Sequence, residues 1–187
     1  MRHFKLNIGT KLFILYFLVS STLVWFFAYR TSIESAKAVM IEVSSLMSRV
    51  ASQNNKDGEI DLETFEDLVV NYLRSQKNTV AIESNQKLEN LAIYVTNKDG
   101  LLVLDSRGLA LGIDMRVLNQ VDSVLKGEED IIRVVTELIP GPKKGRGAIT
   151  EWFYKSEFLH ASNPIYSNTG EVIGALVVVA PMMDLLD

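Results

Sequence analysis

The chain has 187 residues, enough for about one domain of ordinary size and an accessory segment. Its hydrophobic content of 48% is rather high for such a chain, which indicates apolar surface outside a globular core. A net charge of −4 excludes a generally basic nucleic-acid-binding protein, and the absence of cysteine excludes a disulfide framework. An exported part of this chain must be held together by its core alone, which is compatible with a bacterial periplasm.

An apolar segment near the N-terminus, residues 12–29, contains no charged side chain. A bilayer core needs about 20 apolar residues in helix, so the segment is just long enough to span. Three cations lie within residues 1–11, and the positive-inside rule therefore places those residues in the cytoplasm and residues 31–187 outside it, at a bacterial inner membrane. A cleaved signal peptide is the alternative, but Phe26 and Phe27 stand where its small-x-small cleavage site would be expected.

The residues that follow predict a helix leaving the membrane with an apolar stripe. We place its start at a capping box formed by Thr31 and Glu34. Apolar residues then recur at alternating spacings of three and four, the a/d pattern of a helix that pairs with its twin. The stripe consists of Ile33, Ala36, Met40, Val43, Met47 and Val50. It predicts a homodimer through the helix at 33–50, although packing of the same stripe on the domain's own sheet stays open.

A polar segment after this helix partly matches a calcium-binding EF-hand loop. Asn55, Asp57 and Gly58 fall at positions three, five and six of that motif. The positions that need anchoring carboxylates, one and twelve, hold Gln53 and Thr64 instead. We therefore expect a polar loop here and no bound metal.

The rest of the chain alternates helices with hairpin-linked strands. We predict a helix at 62–75, a polar loop at 78–90, strands at 91–96 and 101–106, a helix at 114–126, a strand at 131–136, a loop at 140–147, and strands at 152–163 and 171–180. Each hairpin closes on a polar turn that ends in glycine, at Gly100 and at Gly170. Because there is no regular βαβ alternation, the pattern predicts an α+β fold with a five-stranded antiparallel sheet.

The sequence lacks the motifs of common catalytic sites, among them G-x-S-x-G, H-E-x-x-H and the P-loop. Two histidines and no cysteine leave little material for a zinc site. Asp105 and Ser106 are adjacent in a strand and point to opposite faces, so they cannot act together on one substrate atom. We expect this segment to be no enzyme and to carry no cofactor.

Five segments, in order, carry a resemblance to a known family: "YVTNKDGLLVLDS", "GIDM", "NQV", "LKGEE" and "NPIYSNTGEVIGALVVVAP". With five short strands hung on a long membrane-proximal helix, the chain resembles the extracytoplasmic PAS-like sensor domains called single Cache or PDC domains. The segments are similar to the sensor region of CreC-type, carbon-source-responsive sensor histidine kinases. The resemblance covers about residues 91–181, and its most specific part is the hairpin ending in Asp105 and Ser106.

The resemblance implies that residues 31–181 form the sensor domain of a two-component system and that residues 182–187 begin a linker toward a second span. A HAMP linker, a phospho-acceptor histidine and an ATP-binding segment are missing, so the chain would be the sensory portion of a longer kinase. A membrane-anchored binding or assembly module without kinase output is the alternative, and a chemoreceptor or cyclase could use the same input domain. The gene's continuation past Asp187 would discriminate them.

In a PAS-like domain, helix and loop cover the inner face of the sheet and leave a small cleft. Strand alternation puts Ala92, Tyr94 and Thr96 on one face of the first strand, and this more polar face could meet a ligand. The candidate ligand-binding residues are Tyr94, Asp105, Arg133, Trp152, Tyr154 and His160. They would suit a small polar or anionic molecule such as a carboxylate. The alternative is structural: a turn for Asp105, the core for Trp152 and a hydrogen-bonded sheet position for His160.

Overall fold

The described residues form an α+β fold, with three α-helices and a short 3-10 helix arranged around a five-stranded antiparallel sheet, and with a separate two-stranded hairpin. The computed structural model describes residues 8–56, 58–83, 91–106, 111–140 and 153–182. Its elements are α1 (Ile8–Gln53), β1 (Asn55–Lys56), β2 (Glu59–Ile60), α2 (Leu62–Glu83), β3 (Ala92–Asn97), β4 (Leu102–Asp105), a 3-10 helix (Met115–Val117), α3 (Asn119–Leu125), β5 (Ile131–Pro140), β6 (Phe153–Tyr166) and β7 (Val172–Pro181).

A single helix, α1, joins the apolar N-terminal segment to the globular domain. The predicted helix start at Thr31 is wrong, because Thr31 lies inside α1 and its hydroxyl donates to the carbonyl of Phe27 at 2.9 Å. The sequence contains no glycine or proline between Gly9 and Gly58, so no residue that commonly breaks a helix interrupts α1. The anchor and the first helix of the domain are therefore one continuous element of 46 residues.

The N-terminal part of α1 is long and apolar enough to cross a membrane, and none of its most apolar window is buried by the rest of the protein. Large apolar side chains from Leu12 to Phe27 are more than two-fifths exposed. An uncovered apolar surface of this length marks contact with another apolar phase rather than with water. The helix indicates a membrane-anchored protein, whereas the side of the membrane on which the domain lies stays a prediction.

Five strands form the predicted antiparallel sheet, in the order β4-β3-β7-β6-β5. The central strand β7 pairs with β3 on one side and with β6 on the other, and β4 and β5 are the edges. β5 continues to Pro140, beyond the predicted end at residue 136, because β6 runs antiparallel to it along ten consecutive pairs. Of the predicted loop at 140–147, residues 141–147 lie outside the described part of the chain.

α1 and α2 cover one side of the sheet, which we name the α1 face. The apolar stripe of α1 packs there: Met40 has no exposed surface, and Ala36, Val43 and Met47 are at most 8% exposed. The assignment of this stripe to a dimer contact is therefore wrong. The sequence was ambiguous because less than three heptads of a/d spacing are equally compatible with a helix that packs on a sheet. Dimerisation through the helix at 33–50 stays a prediction and requires its other side, where Leu46 is half exposed.

Serines spaced four residues apart fasten α1 to β6 within the same face. Asn163 donates its amide to the hydroxyl of Ser44 at 2.8 Å, and the backbone N–H of Tyr166 donates to the hydroxyl of Ser52 at 2.8 Å. Between them, the hydroxyl of Ser48 donates to a β6 carbonyl. These bonds add directional contacts to the apolar packing between α1 and the sheet.

The opposite side of the sheet, the α3 face, is covered by the 3-10 helix and α3. The single helix predicted at 114–126 is divided at Leu118, whose backbone is extended (φ −88°, ψ 111°). Asp114 caps the first piece by accepting a hydrogen bond from the backbone N–H of Arg116 at 3.0 Å. α3 then buries Val121 and Val124.

α2 is longer than predicted and includes the first six residues of the predicted loop at 78–90. It runs from Leu62 to Glu83, so residues 78–83 of the predicted loop at 78–90 are helical. The polar composition of this stretch was misleading because the outward side of a surface helix is itself polar. Residues 84–90 lie outside the described chain.

Candidate functional site

Several buried polar side chains lie at the middle of the α3 face. Gln120 comes from α3, His160 and Ser162 come from β6, and all three are less than 5% exposed. Tyr94 from β3 is buried among the apolar residues of the same face. We name these residues the α3-face polar cluster: Tyr94, Gln120, His160 and Ser162.

Strand pairing brings four of the six predicted site residues to this one face. Tyr94 pairs with Asp105 of β4, and Ser162 lies in the same row beyond β7. In the neighbouring row, Arg133 of β5 pairs with His160 of β6. Because directly paired residues project to the same side of a sheet, these residues share the α3 face.

The four residues differ in their access to solvent, so they do not line one closed cavity. Tyr94 and His160 are buried, Asp105 is half-buried at the β4 edge, and Arg133 is exposed on β5. Tyr154 lies in β6, paired with Ile139, but its side chain is outside the described set. Trp152 lies outside the described residues altogether. The six-residue ligand site therefore stays a prediction.

His160 is the best-defined member of the cluster. Its Nδ1 lies 3.1 Å from Nε2 of Gln120, and its Nε2 lies 3.3 Å from Oε1 of Glu137. An amide nitrogen can only donate, so Nδ1 of His160 is the acceptor in this arrangement. The neutral ring then carries its proton on Nε2, directed toward the carboxylate of Glu137.

Two buried polar atoms of the cluster lack a hydrogen bond. Within the described residues, neither the hydroxyl of Ser162 nor Nε2 of His160 has a partner of hydrogen-bonding geometry, and the contact with Glu137 counts only by distance. Buried polar atoms are nearly always hydrogen-bonded, because leaving one unpaired costs about 1–3 kcal/mol.

An open groove of about 530 Å³ lies beside the cluster, between the 3-10 helix, α3 and β5. Its polar lining comes from Asn119, Gln120, Arg133 and Thr136. Arg133 brings a permanent positive charge and planar hydrogen-bond donors, which suit a carboxylate. The apolar Val117 beside it is 80% exposed. This combination fits a small anion with a short apolar part.

Sequence reasoning missed three members of this arrangement. Ser162 had a signal, since it alternates with His160 along a predicted strand. Gln120 had a weaker signal, a polar residue beside the apolar positions of a helix. Glu137 had none, because the predicted strand ended one residue before it.

Comparison with known proteins supports the architecture. No family model matches the chain, and no curated protein matches it. The sensor domain of the V. cholerae histidine kinase DctB matches with a TM-score of 0.51 and 12% identity over 90% of this chain and 57% of that one. The periplasmic sensory domain of the Campylobacter jejuni chemoreceptor Tlp1 has a TM-score of 0.47 and 14% identity over 84% and 58%.

The ligand-binding domain of the Pseudomonas aeruginosa PAO1 amino acid chemoreceptor PctC, in complex with GABA, has a TM-score of 0.46 and 14% identity over 84% of this chain and 62% of that one. This chain therefore spans 57% to 62% of the length of these three structures. At such identities the likeness concerns the fold alone. The likeness to the V. cholerae sensor domain confirms the predicted α+β architecture, a long N-terminal helix followed by a five-stranded antiparallel sheet, while the single Cache or PDC assignment and the CreC-type assignment stay predictions.

Proposed function

We propose that this chain is the extracytoplasmic input domain of a membrane-anchored sensor histidine kinase of a two-component system, and that it binds a small polar ligand. The observation that carries the proposal is the pair of buried, unbonded polar atoms on His160 and Ser162 beside the groove that contains Arg133. A protein that only packed its core would gain stability by replacing such atoms with apolar ones.

The ligand we propose is a small carboxylate or a similar polar metabolite. Its carboxylate group pairs with the guanidinium of Arg133, and the hydroxyl of Ser162 supplies a second polar contact. α3 forms the movable cover, because it has only seven residues. Closing α3 over the ligand would exclude water and strengthen both contacts.

The signal passes through β6 to the membrane helix. His160 and Ser162 lie on one face of β6. Because side chains alternate along a strand, Asn163 lies on the other face, where it donates to Ser44 of α1. A shift of β6 on ligand binding would therefore move α1 through this hydrogen bond, and α1 continues without a break into the apolar segment. Rigid displacement of a helix of this kind is a common way of carrying a change between distant sites.

A ligand screen tests the proposal. The full chain in detergent micelles is screened by thermal shift against small carboxylates, amino acids and sugars. A ligand at 100 times its dissociation constant should stabilise the protein by about 2.7 kcal/mol. Arg133→Ala and Ser162→Ala should each weaken the binding of a hit, whereas Arg74→Ala, an exposed arginine on α2, should leave it unchanged. A hit whose affinity survives both Arg133→Ala and Ser162→Ala would place the site elsewhere.

Topology and dimerisation are tested on the intact protein in its membrane. A reporter that is active only after export, fused at Asp187, should be active if the domain is extracytoplasmic. The chain has no native cysteine, so single cysteines report contacts cleanly. Leu46→Cys should cross-link between subunits and the buried Met40→Cys should not. Absence of cross-linking at Leu46 and at its exposed neighbour Glu42 would contradict a dimer through this helix.

A further inference from the structure

A wholly buried imidazole links three elements of the α3 face. His160 of β6 has no exposed surface. Its two ring nitrogens contact different elements, Gln120 of α3 at 3.1 Å and Glu137 of β5 at 3.3 Å. A change in the charge of this ring therefore acts on α3 and on β5 together.

Protonation reverses the role of one ring nitrogen. In the neutral ring, Nδ1 of His160 accepts from the amide nitrogen of Gln120, and only Nε2 carries a proton. In the charged ring, both nitrogens are donors, so Nδ1 and the amide nitrogen of Gln120 would direct hydrogens at each other. The amide must then rotate to present its oxygen, or α3 must move away.

β5 supplies the charges that face the ring. The carboxylate of Glu137 favours the charged imidazole and would be drawn from a distance contact into a hydrogen-bonded ion pair. Arg133, the strand partner of His160, opposes the charge, but its side chain is exposed and its field is screened by water. Glu137 is therefore the dominant charged neighbour.

Within the described part of the chain, the other elements add no competing charge at the ring. On α3, Gln120 is neutral, and the carboxylate of Asp122 is paired with Lys126 at 2.5 Å. β7 presents apolar residues to the cluster, and Tyr94 of β3 lies in the adjacent row. When His160 takes up a proton, Glu137 and Gln120 are therefore the residues whose contacts with the ring change.

We infer that His160 is a pH-sensitive switch, through which acidification of the surrounding compartment repositions α3 and β5 against β6. Histidine is the side chain whose charge ordinarily changes between pH 5 and 8, which suits it to this task. The inference rests on the proposed function in one respect: the proposed signalling route would pass on the change that protonation causes at the α3 face. The protonation of His160 and the movement of α3 and β5 need no ligand.

Two measurements on one protein test the switch without any ligand. His3→Gln in the full chain leaves His160 as the single histidine, so ¹⁵N NMR in nanodiscs reports its tautomer and its titration alone. Spin labels on Asn119→Cys and Thr136→Cys, both at the exposed groove, report the distance between α3 and β5. We expect a neutral ring protonated on Nε2 at the alkaline end of the titration, a charged ring at the acidic end, and a shift of the spin-label distance with the same midpoint.

Matched variants identify the partner. Glu137→Gln keeps the shape and removes the charge, and it should lower the midpoint and reduce the distance change. Glu157→Gln, an exposed glutamate on the same hairpin, should leave both unchanged. A ring that stays neutral down to pH 5, or a titration without a change in distance, overturns the switch. Neither result bears on ligand binding at pH 8, so failure of the switch and failure of the proposed function remain distinguishable.

Discussion

The two faces of the sheet differ in how their buried polar side chains are hydrogen-bonded. On the α1 face, apolar side chains fill the space between helix and sheet, and the polar residues Ser44 and Asn163 bond to each other. On the α3 face, Ser162 and His160 are just as deeply buried, yet each has an atom without a hydrogen bond among the described residues. The α1 face therefore holds the domain together, whereas the α3 face keeps buried polar atoms whose hydrogen bonds are not made within the described residues.

The largest expected effect lies on the α1 face, at Met40. Replacing this wholly buried side chain by alanine should destabilise the domain by about 3 kcal/mol, through lost burial and the cavity left behind. Leu46→Ala, on the exposed side of the same helix, should change stability by less than about 0.5 kcal/mol. Urea unfolding of the full chain in micelles measures both. Equal effects would mean that the stripe does not pack on the sheet.

A second test of the α1 face concerns Gly174, where β7 approaches β3. A Cβ at this position would overlap the backbone carbonyl oxygen of Thr96 and press on the side chain of Ile60. Gly174→Ala should therefore separate the two strands and cost about 2 kcal/mol, as overpacking does elsewhere. Glu171→Ala, an exposed change on the same hairpin, is the control. Wild-type stability in Gly174→Ala would show that the strand pairing has room to relax.

The sequence predicted the elements of the sheet better than the elements that cover it. Strand alternation and the glycines at 100 and 170 locate β3, β4, β6 and β7 because they depend on neighbouring residues only. The stripe on α1 was recognised, but its partner was not, since spacing alone does not distinguish a second helix from a sheet. The division at Leu118 depends on a local cap at Asp114 that competes with a continuing helix.

The candidate site was predictable only in part for the same reason. Alternation placed Tyr94 and His160 on strands, and pairing in the fold brought them to one face. The contacts of His160 with Gln120 and Glu137 join residues that are 40 and 23 positions apart in the chain. No local pattern records such a distance. Contacts between elements that are remote in sequence require the tertiary structure.

Two serine substitutions, one on each face, should change the stability of the fold in opposite directions. Ser44→Ala leaves the amide of Asn163 without its acceptor in a buried setting and should destabilise by about 1 kcal/mol. Ser162→Ala removes a buried hydroxyl that has no hydrogen-bond partner within the described chain, and it should leave stability unchanged or raise it by up to about 1 kcal/mol. Both are read from urea unfolding without added ligand. Destabilisation by Ser162→Ala would reveal a native partner for that hydroxyl and weaken its assignment to a ligand.

The smallest expected effect concerns the edge of the α3-face cover, where Asp114 accepts from Arg116. Hydrogen bonds from the guanidinium and then from the backbone N–H of Arg116 lower the pKa of the Asp114 carboxyl from 3.8 to about 2. A carboxyl whose pKa is lower in the folded than in the unfolded state stabilises the fold above its unfolded pKa of about 3.9, and this contribution is lost as the pH falls toward 2.

The stability difference between wild type and Asp114→Asn should therefore be largest at neutral pH and should shrink as the pH falls toward 2, where the Asp114 carboxyl is about half protonated in the folded state. Both groups are exposed, so water screens the pair and the difference in melting temperature will be small. Glu171→Gln serves as the exposed control.

Because Arg116 also lies against Gly100, at the turn between β3 and β4, losing the pair of Asp114 and Arg116 should loosen the 3-10 helix and α3 while the α1 face stays intact. Faster amide exchange in the 3-10 helix and α3 of Asp114→Asn, with unchanged exchange in α1, would show that the two faces open independently; a uniform increase would show that they unfold as one unit.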